Sequence, residues 1–187
     1  MARRKPDPGA IYVSPRLQAS LEPMGRCALT TVTAPMGYGK TTAVNWFLAA
    51  QPPGSAIRVS IYSDSLPALW EGGRRAFRAA GLTVLEGFDC PTDPAATGLL
   101  VDTLCRELRR PEPWYLFADD LHLLPDPRMA RFLCELAARL PENVHLIAAS
   151  RDRILSGDQV LRLGGRLHRI GAEQLREAAQ TLRRYKQ

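Results

Sequence analysis

TVTAPMGYGKTTAVNWF, residues 31–47, decides the reading of this chain. It contains Gly-x-Gly-Lys-Thr (37–41), the tail of the G-x-x-x-x-G-K-[ST] pattern. The first glycine of that pattern is absent: Ala34 holds its place and Pro35 follows. An apolar run, CALTTVTA (27–34), leads into the stretch, and a helical pattern (41–50) with Val44, Phe47 and Leu48 on one face leaves it. Strand, glycine loop and helix in that order build a phosphate cradle. Backbone N–H groups converge at the helix N-terminus, and the helix dipole favours an anion there. Gly37 and Gly39 permit φ > 0 and close backbone approach. Lys40 would reach phosphate oxygens, the Thr41 hydroxyl would ligate Mg²⁺, and Thr42 adds a second hydroxyl. The plainer alternative is a loop that only caps a helix.

Further apolar runs read as strands: AIRVSIY (56–62), WYLFADD (114–120), NVHLIAAS (143–150) and the weaker RLHRI (166–170). Their short length, β-branched or aromatic content and flanking turn residues favour strand over helix. Helical patterns fall between them. One covers 66–80, with Leu69, Phe77 and Ala80, weakened by Gly72 and Gly73. Another starts at Asp93-Pro94, a cap followed by a first-turn proline, and shows Leu100, Leu104, Cys105 and Leu108. The cleanest spans 128–140, with Met129, Phe132, Leu133, Leu136 and Leu140 on one face. A last helix is expected from about 172 to the end. Alternating strands and helices predict a mostly parallel sheet covered on both faces, with ligands at the carboxyl ends of its strands.

Two more features fall at such ends. Asp119 and Asp120 close the WYLFADD run, where a carboxylate can hold Mg²⁺ through water and its neighbour can polarise an attacking water. Acids also suit a solvated strand end or a helix cap. Arg151 follows NVHLIAAS directly, placed for a terminal phosphate and for charge in the transition state, or simply for solvent. The candidate catalytic residues are Asp119, Asp120 and Arg151. The candidate metal ligands are Thr41 and Asp119, and the candidate nucleotide-binding stretch is Pro35, Met36, Gly37, Tyr38, Gly39, Lys40, Thr41 and Thr42. His122 reads as structural or as a supporting donor, His145 as a strand residue and His168 as a surface one.

With 187 residues and 45% hydrophobic content, the chain suits one globular domain with a real core. The four cysteines, Cys27, Cys90, Cys105 and Cys134, have no metal-binding spacing and are expected as reduced thiols of a cytoplasmic protein. MARRKPDPGA (1–10) is basic without an apolar run behind it, so neither a secretory signal nor a membrane span is expected. The net charge of +6 is spread over helix faces rather than gathered into a basic stripe, which argues against direct nucleic-acid binding by this segment.

Taken together, TVTAPMGYGKTT (31–42), FADDLHLL (117–124) and LPENVHLIAASRDR (140–153) resemble the nucleotide-binding domain of MalT-like LuxR-family transcriptional regulators, of the STAND class of P-loop NTPases. That family has a loop of the form A-P-x-G-[FY]-G-K-T, an acidic pair followed by an aromatic or apolar residue and His, and a fourth strand ending in Ser-Arg. PRLQASL (15–21) and LHRIGAEQLR (167–176) are similar to its flanking segments. The resemblance implies a three-layer P-loop NTPase fold with sheet order 5-1-4-3-2, spanning 13–187 after a flexible tail at 1–12. It implies ATP or ADP with Mg²⁺ as ligand, slow hydrolysis, and self-association of the full-length protein in its ATP form. DNA would be met only through a C-terminal domain beyond these residues, with no membrane partner. SDSLPALWEGG (63–73) lacks the family's acid-rich stretch, and the family's Gly-x-Pro segment that helps hold ADP is not among these residues. Two alternatives stand beside this reading: a P-loop ATPase or small-molecule kinase unrelated to transcription, and a nucleotide-binding module without hydrolysis.

Overall fold

The computed structural model describes residues 13–176; the expected tail at 1–12 and most of the expected last helix lie outside them. The strands are β1 (Leu29–Thr33), β2 (Ala56–Ser60), β3 (Trp114–Asp119), β4 (Val144–Ser150) and β5 (Leu167–Ile170). They form one sheet in the order β2-β3-β4-β1-β5, which is the expected 5-1-4-3-2 read from the other edge. All neighbouring pairs are parallel, with Thr33 beside Ser150 and Ser60 beside Asp119 at the carboxyl ends. The central strand β4 is buried along its whole length, because helices cover it on both sides.

The helices are α1 (Pro15–Leu21), α2 (Lys40–Ala49), α3 (Leu66–Ala79), α4 (Pro94–Glu107), α5 (Pro127–Arg139) and α6 (Gly157–Leu163). Side chains of a strand alternate between faces, so the sheet supports two cores. Phe117, Ile147, Val32 and Tyr115 join Leu17 and Leu21 of α1 and Val44 and Phe47 of α2. Leu29, Ile57, Leu146 and Trp114 join Phe77, Leu104, Leu133 and Leu163 from α3 to α6. At roughly 1.5–3 kcal/mol for each fully buried large apolar side chain, these layers supply the main drive to fold.

Helix starts follow local chemistry. Ser14, Ser65, Asp93 and Asp126 each accept a hydrogen bond from a first-turn N–H, and a proline stands in that first turn. Gly72 and Gly73 do not break α3. Helices α1 and α6 were not expected from the sequence pattern. Both are only 7 residues long, and α6 is held by a capping box between Ser156 and Gln159. The four cysteines are unpaired thiols, pushed up in pKa by burial. No helix among the described residues is long and apolar enough to cross a membrane.

Candidate functional site

The loop between β1 and α2 turns on two glycines. Gly37 and Gly39 sit at φ 82° and 78°, the left-handed region that side chains rarely enter. Nothing lies within 4 Å of a Cβ built on either, so the loop leaves open space where a ligand would approach. Gly39 is the N-cap of α2 and has no side-chain cap, and the first N–H of the helix to find an acceptor is that of Ala43, on Gly39 O at 2.8 Å. The N–H groups before it lack intrahelical partners, as at any helix start, and here they point out of a glycine loop.

Ala34 explains its own presence. Asp120 is the single non-glycine residue with positive φ among those described, so position 34 asks for no glycine. The Ala34 methyl is buried with Val32, Ala149 and Phe117, and its N–H donates to Ser150 O at 3.2 Å.

Lys40 is buried, and its ammonium donates to Ala34 O (2.7 Å) and Pro35 O (3.1 Å). Burial lowers its pKa. Asp120 opposes that shift, Arg151 adds to it, and Asp119 opposes it. The side chain is therefore a partly desolvated cation folded back on its own loop, where an anion would be a better partner than two carbonyl oxygens.

The Thr41 hydroxyl donates to Asp119 Oδ2 at 2.9 Å, across 78 residues of chain. Asp119 is buried, and its other oxygen accepts from the Asp120 N–H at 3.0 Å. This bond ties the loop helix to the acid-ending strand. A hydroxyl and a carboxylate oxygen facing each other at a phosphate loop fit the few protein ligands that Mg²⁺ takes when it keeps its waters and binds substrate phosphates.

Asp120 turns the chain out of β3 in the left-handed conformation (φ 60°, ψ 37°), a region Asp tolerates better than most residues. Its carboxylate is half exposed toward the site. His122 follows on a short 3-10 turn. Its ring is buried, its Nδ1 lies 3.8 Å from Asp120 Oδ1, and neither ring nitrogen has a hydrogen-bond partner among the described residues. Arg151 is exposed and extends over the loop, with one guanidinium nitrogen 3.3 Å from Met36 Sδ. The structure thus gathers Lys40, Thr41, Asp119, Asp120 and Arg151 at one end of the sheet. Pro35 and Met36 are exposed on the loop, and Tyr38 and Thr42 are half-buried beside it.

Two contributors were not evident in the sequence. The Arg176 guanidinium lies 5.9 Å from the Tyr38 ring centroid, joining the last described helical turn (172–176) to the loop. The Ser150 hydroxyl accepts from the Asp152 N–H at 3.3 Å and shapes the turn that carries Arg151. The Arg176–Tyr38 contact joins side chains that only the tertiary fold brings together, and the Ser150 bond is a local turn with no periodic signal. His145 is buried within the sheet rather than at the site. Its Nδ1 is 2.9 Å from Cys27 O and its ring stacks on Tyr115.

No family model matches the chain. Solved structures share its architecture. The Signal Transduction ATPase with Numerous Domains (STAND) protein with a tetratricopeptide repeat sensor from Pyrococcus horikoshii matches at 13% identity and TM-score 0.54, over 92% of this chain and 28% of that one. Drosophila ORC bound to DNA matches at 13% identity and TM-score 0.51, over 84% and 91%. Drosophila ORC bound to AT-rich DNA and Cdc6 matches at 14% identity and TM-score 0.50, over 84% and 55%. The fold is that of the P-loop ATPases. This chain spans about half the length of the last of these and about a quarter of the STAND protein. Identities this low establish architecture alone.

Proposed function

We propose that this chain is the ATP- and ADP-binding switch domain of a MalT-like LuxR-family transcriptional regulator, with slow Mg²⁺-dependent hydrolysis. The observation that carries the nucleotide reading is the Thr41–Asp119 hydrogen bond. It joins a phosphate-type loop to a buried carboxylate at the carboxyl end of a parallel sheet, where ligands of such sheets bind. The regulator reading rests on the motif resemblance, and the STAND protein's shared architecture is compatible with it.

In this reading the loop N–H groups and Lys40 hold the phosphates. Thr41 and Asp119 hold Mg²⁺, which supplies charge neutralisation at the phosphates when bound. Asp120, half exposed beside them, accepts a proton from the attacking water. Arg151, over the loop, meets charge developing on the terminal phosphate. Contact with DNA belongs to a further domain of a longer protein, and self-association to its ATP form. The deciding experiment is equilibrium binding of MgATP to the chain and to Lys40→Ala. Binding should be lost in the variant, and retained affinity would sink the nucleotide reading. A helix-turn-helix later in the same gene product would decide the regulator reading.

A further inference from the structure

On the sheet face opposite α2 lies an apolar cavity of about 510 Å³. Ile57, Leu116 and Ala118 form its floor, and Trp70 of α3, Gly98 of α4 and Phe132 of α5 form its walls. It opens to solvent past Thr92, Asp93 and Arg131, so it is a cleft rather than a sealed void. It falls within the range of small-molecule sites, roughly 300–1,000 Å³.

Glycines keep it open. Gly98 stands one turn before Val101 and nearly two before Leu104, on the inward stripe of α4, yet carries no side chain, and a Cβ there would meet nothing within 4 Å. On the facing wall, the nearest atom to a Cβ at Gly73 of α3 is Leu85 Cδ1, at 3.8 Å. The lining also bears on the chemistry of an occupant, because most of its polar groups are already engaged with neighbouring residues. Trp70 Nε1–H donates to Phe88 O at 3.2 Å, the Thr97 hydroxyl to Asp93 O at 2.9 Å, and Asp93 Oδ1 accepts from the Ala96 N–H at 2.8 Å. Arg128 forks onto Asp126 and Arg162 onto Glu135, while Arg131 is exposed to solvent at the rim.

We propose that this cavity is a second ligand site, for a neutral and largely apolar small molecule, separate from the phosphate loop. The floor residue Ala118 immediately precedes Asp119, so an occupant would rest against the strand that carries the acids.

The test titrates Nile red, a neutral dye that brightens in apolar surroundings, into the full 187-residue chain. Saturable binding of one dye per chain is expected, displaced by biphenyl and about tenfold less well by biphenyl-4-carboxylate. Gly98→Leu and Gly73→Leu fill the space from opposite helices, and each should weaken the dye about tenfold or more while the thermal midpoint holds or rises. Lys40→Ala should bind dye as the parent does, which keeps this result independent of the nucleotide reading. A measurement on the unsubstituted chain stands beside the variants: biphenyl should slow alkylation of Cys90, which lines the cavity, and leave Cys27 unchanged. Absence of saturable binding, the result if another stretch of protein fills the space, would overturn the proposal. So would binding unchanged in both leucine variants, equal displacement by the carboxylate, or no protection of Cys90.

Discussion

Thr41→Val tests the bond on which the site stands. Valine keeps the shape of threonine and removes the hydroxyl that donates to Asp119 Oδ2. Asp119 is buried, so its carboxylate keeps one donor, the Asp120 N–H, and loses the other. A hydrogen bond to a charged group contributes about 1.5–3 kcal/mol, and its loss here should cost a similar amount. For a domain of this size that lowers the thermal midpoint by roughly 3–12 °C. A second effect, of similar size, concerns the ligand. MgATP at 100 times its dissociation constant stabilises the native state by about 2.7 kcal/mol, a rise of roughly 5–11 °C. Thr41→Val should lose the Mg²⁺-dependent part of that rise, and Thr41→Ser, which keeps the hydroxyl, should retain it. The assay is thermal unfolding with ATP in Mg²⁺ or in EDTA. A valine variant with the full Mg²⁺-dependent rise would refute the assignment of Thr41 and Asp119 to the metal.

Asp120→Asn keeps the left-handed turn, since asparagine tolerates that region, and removes the proton acceptor. Single-turnover hydrolysis should fall about 10²–10⁴-fold with MgATP binding nearly unchanged, and parental hydrolysis would remove Asp120 from the chemistry. His145 makes a pH prediction. Burial lowers its pKa in the folded state, against the opposing effect of the bond to Cys27 O. The unfolded chain therefore takes up a proton first as pH falls below about 6.5, and stability falls with it. Above that value the contribution is complete. The thermal midpoint of the parent should fall more steeply below about pH 6.5 than that of His145→Gln. Identical slopes would mean that another group sets the acid limb.

The strands were legible because a parallel sheet covered on both faces demands near-continuous apolar runs, and NVHLIAAS supplies one that is buried from Val144 to Ser150. The longer helices were legible from capping and periodicity together. Helices α1 and α6 were harder to read because each offers barely two turns of pattern. In α6, Gly157 stands just inside the start and Gly164-Gly165 follows the end, so the stretch reads as loop although Ser156 and Gln159 form a capping box. The same division runs through the site. Lys40, Thr41, Asp119, Asp120 and Arg151 were readable as residues, because the first two open the helix after a glycine loop and the others lie where a strand ends. Their mutual contacts were not, because a bond across 78 residues leaves no trace in local pattern. The cavity was least legible of all, since Gly73 looks like a helix weakness and Gly98 carries no pattern until the space beside them is seen.

The same distinction accounts for the glycine absent at position 34. A glycine is required where the backbone must enter positive φ or where a side chain would obstruct a ligand. Gly37 and Gly39 meet the first condition, and a Cβ at either would enter open space on the ligand side of the loop. Ala34 meets neither, because it continues the pairing of β1 by one bond: its N–H donates to Ser150 O just past the end of the strand. Its methyl lies in the core and its carbonyl accepts from Lys40. Pro35 then holds φ near −65° and contributes a carbonyl to the same ammonium without adding an N–H. Alanine and proline therefore stiffen the entry to the loop and seat its lysine, while the two glycines that follow keep the freedom a phosphate site needs.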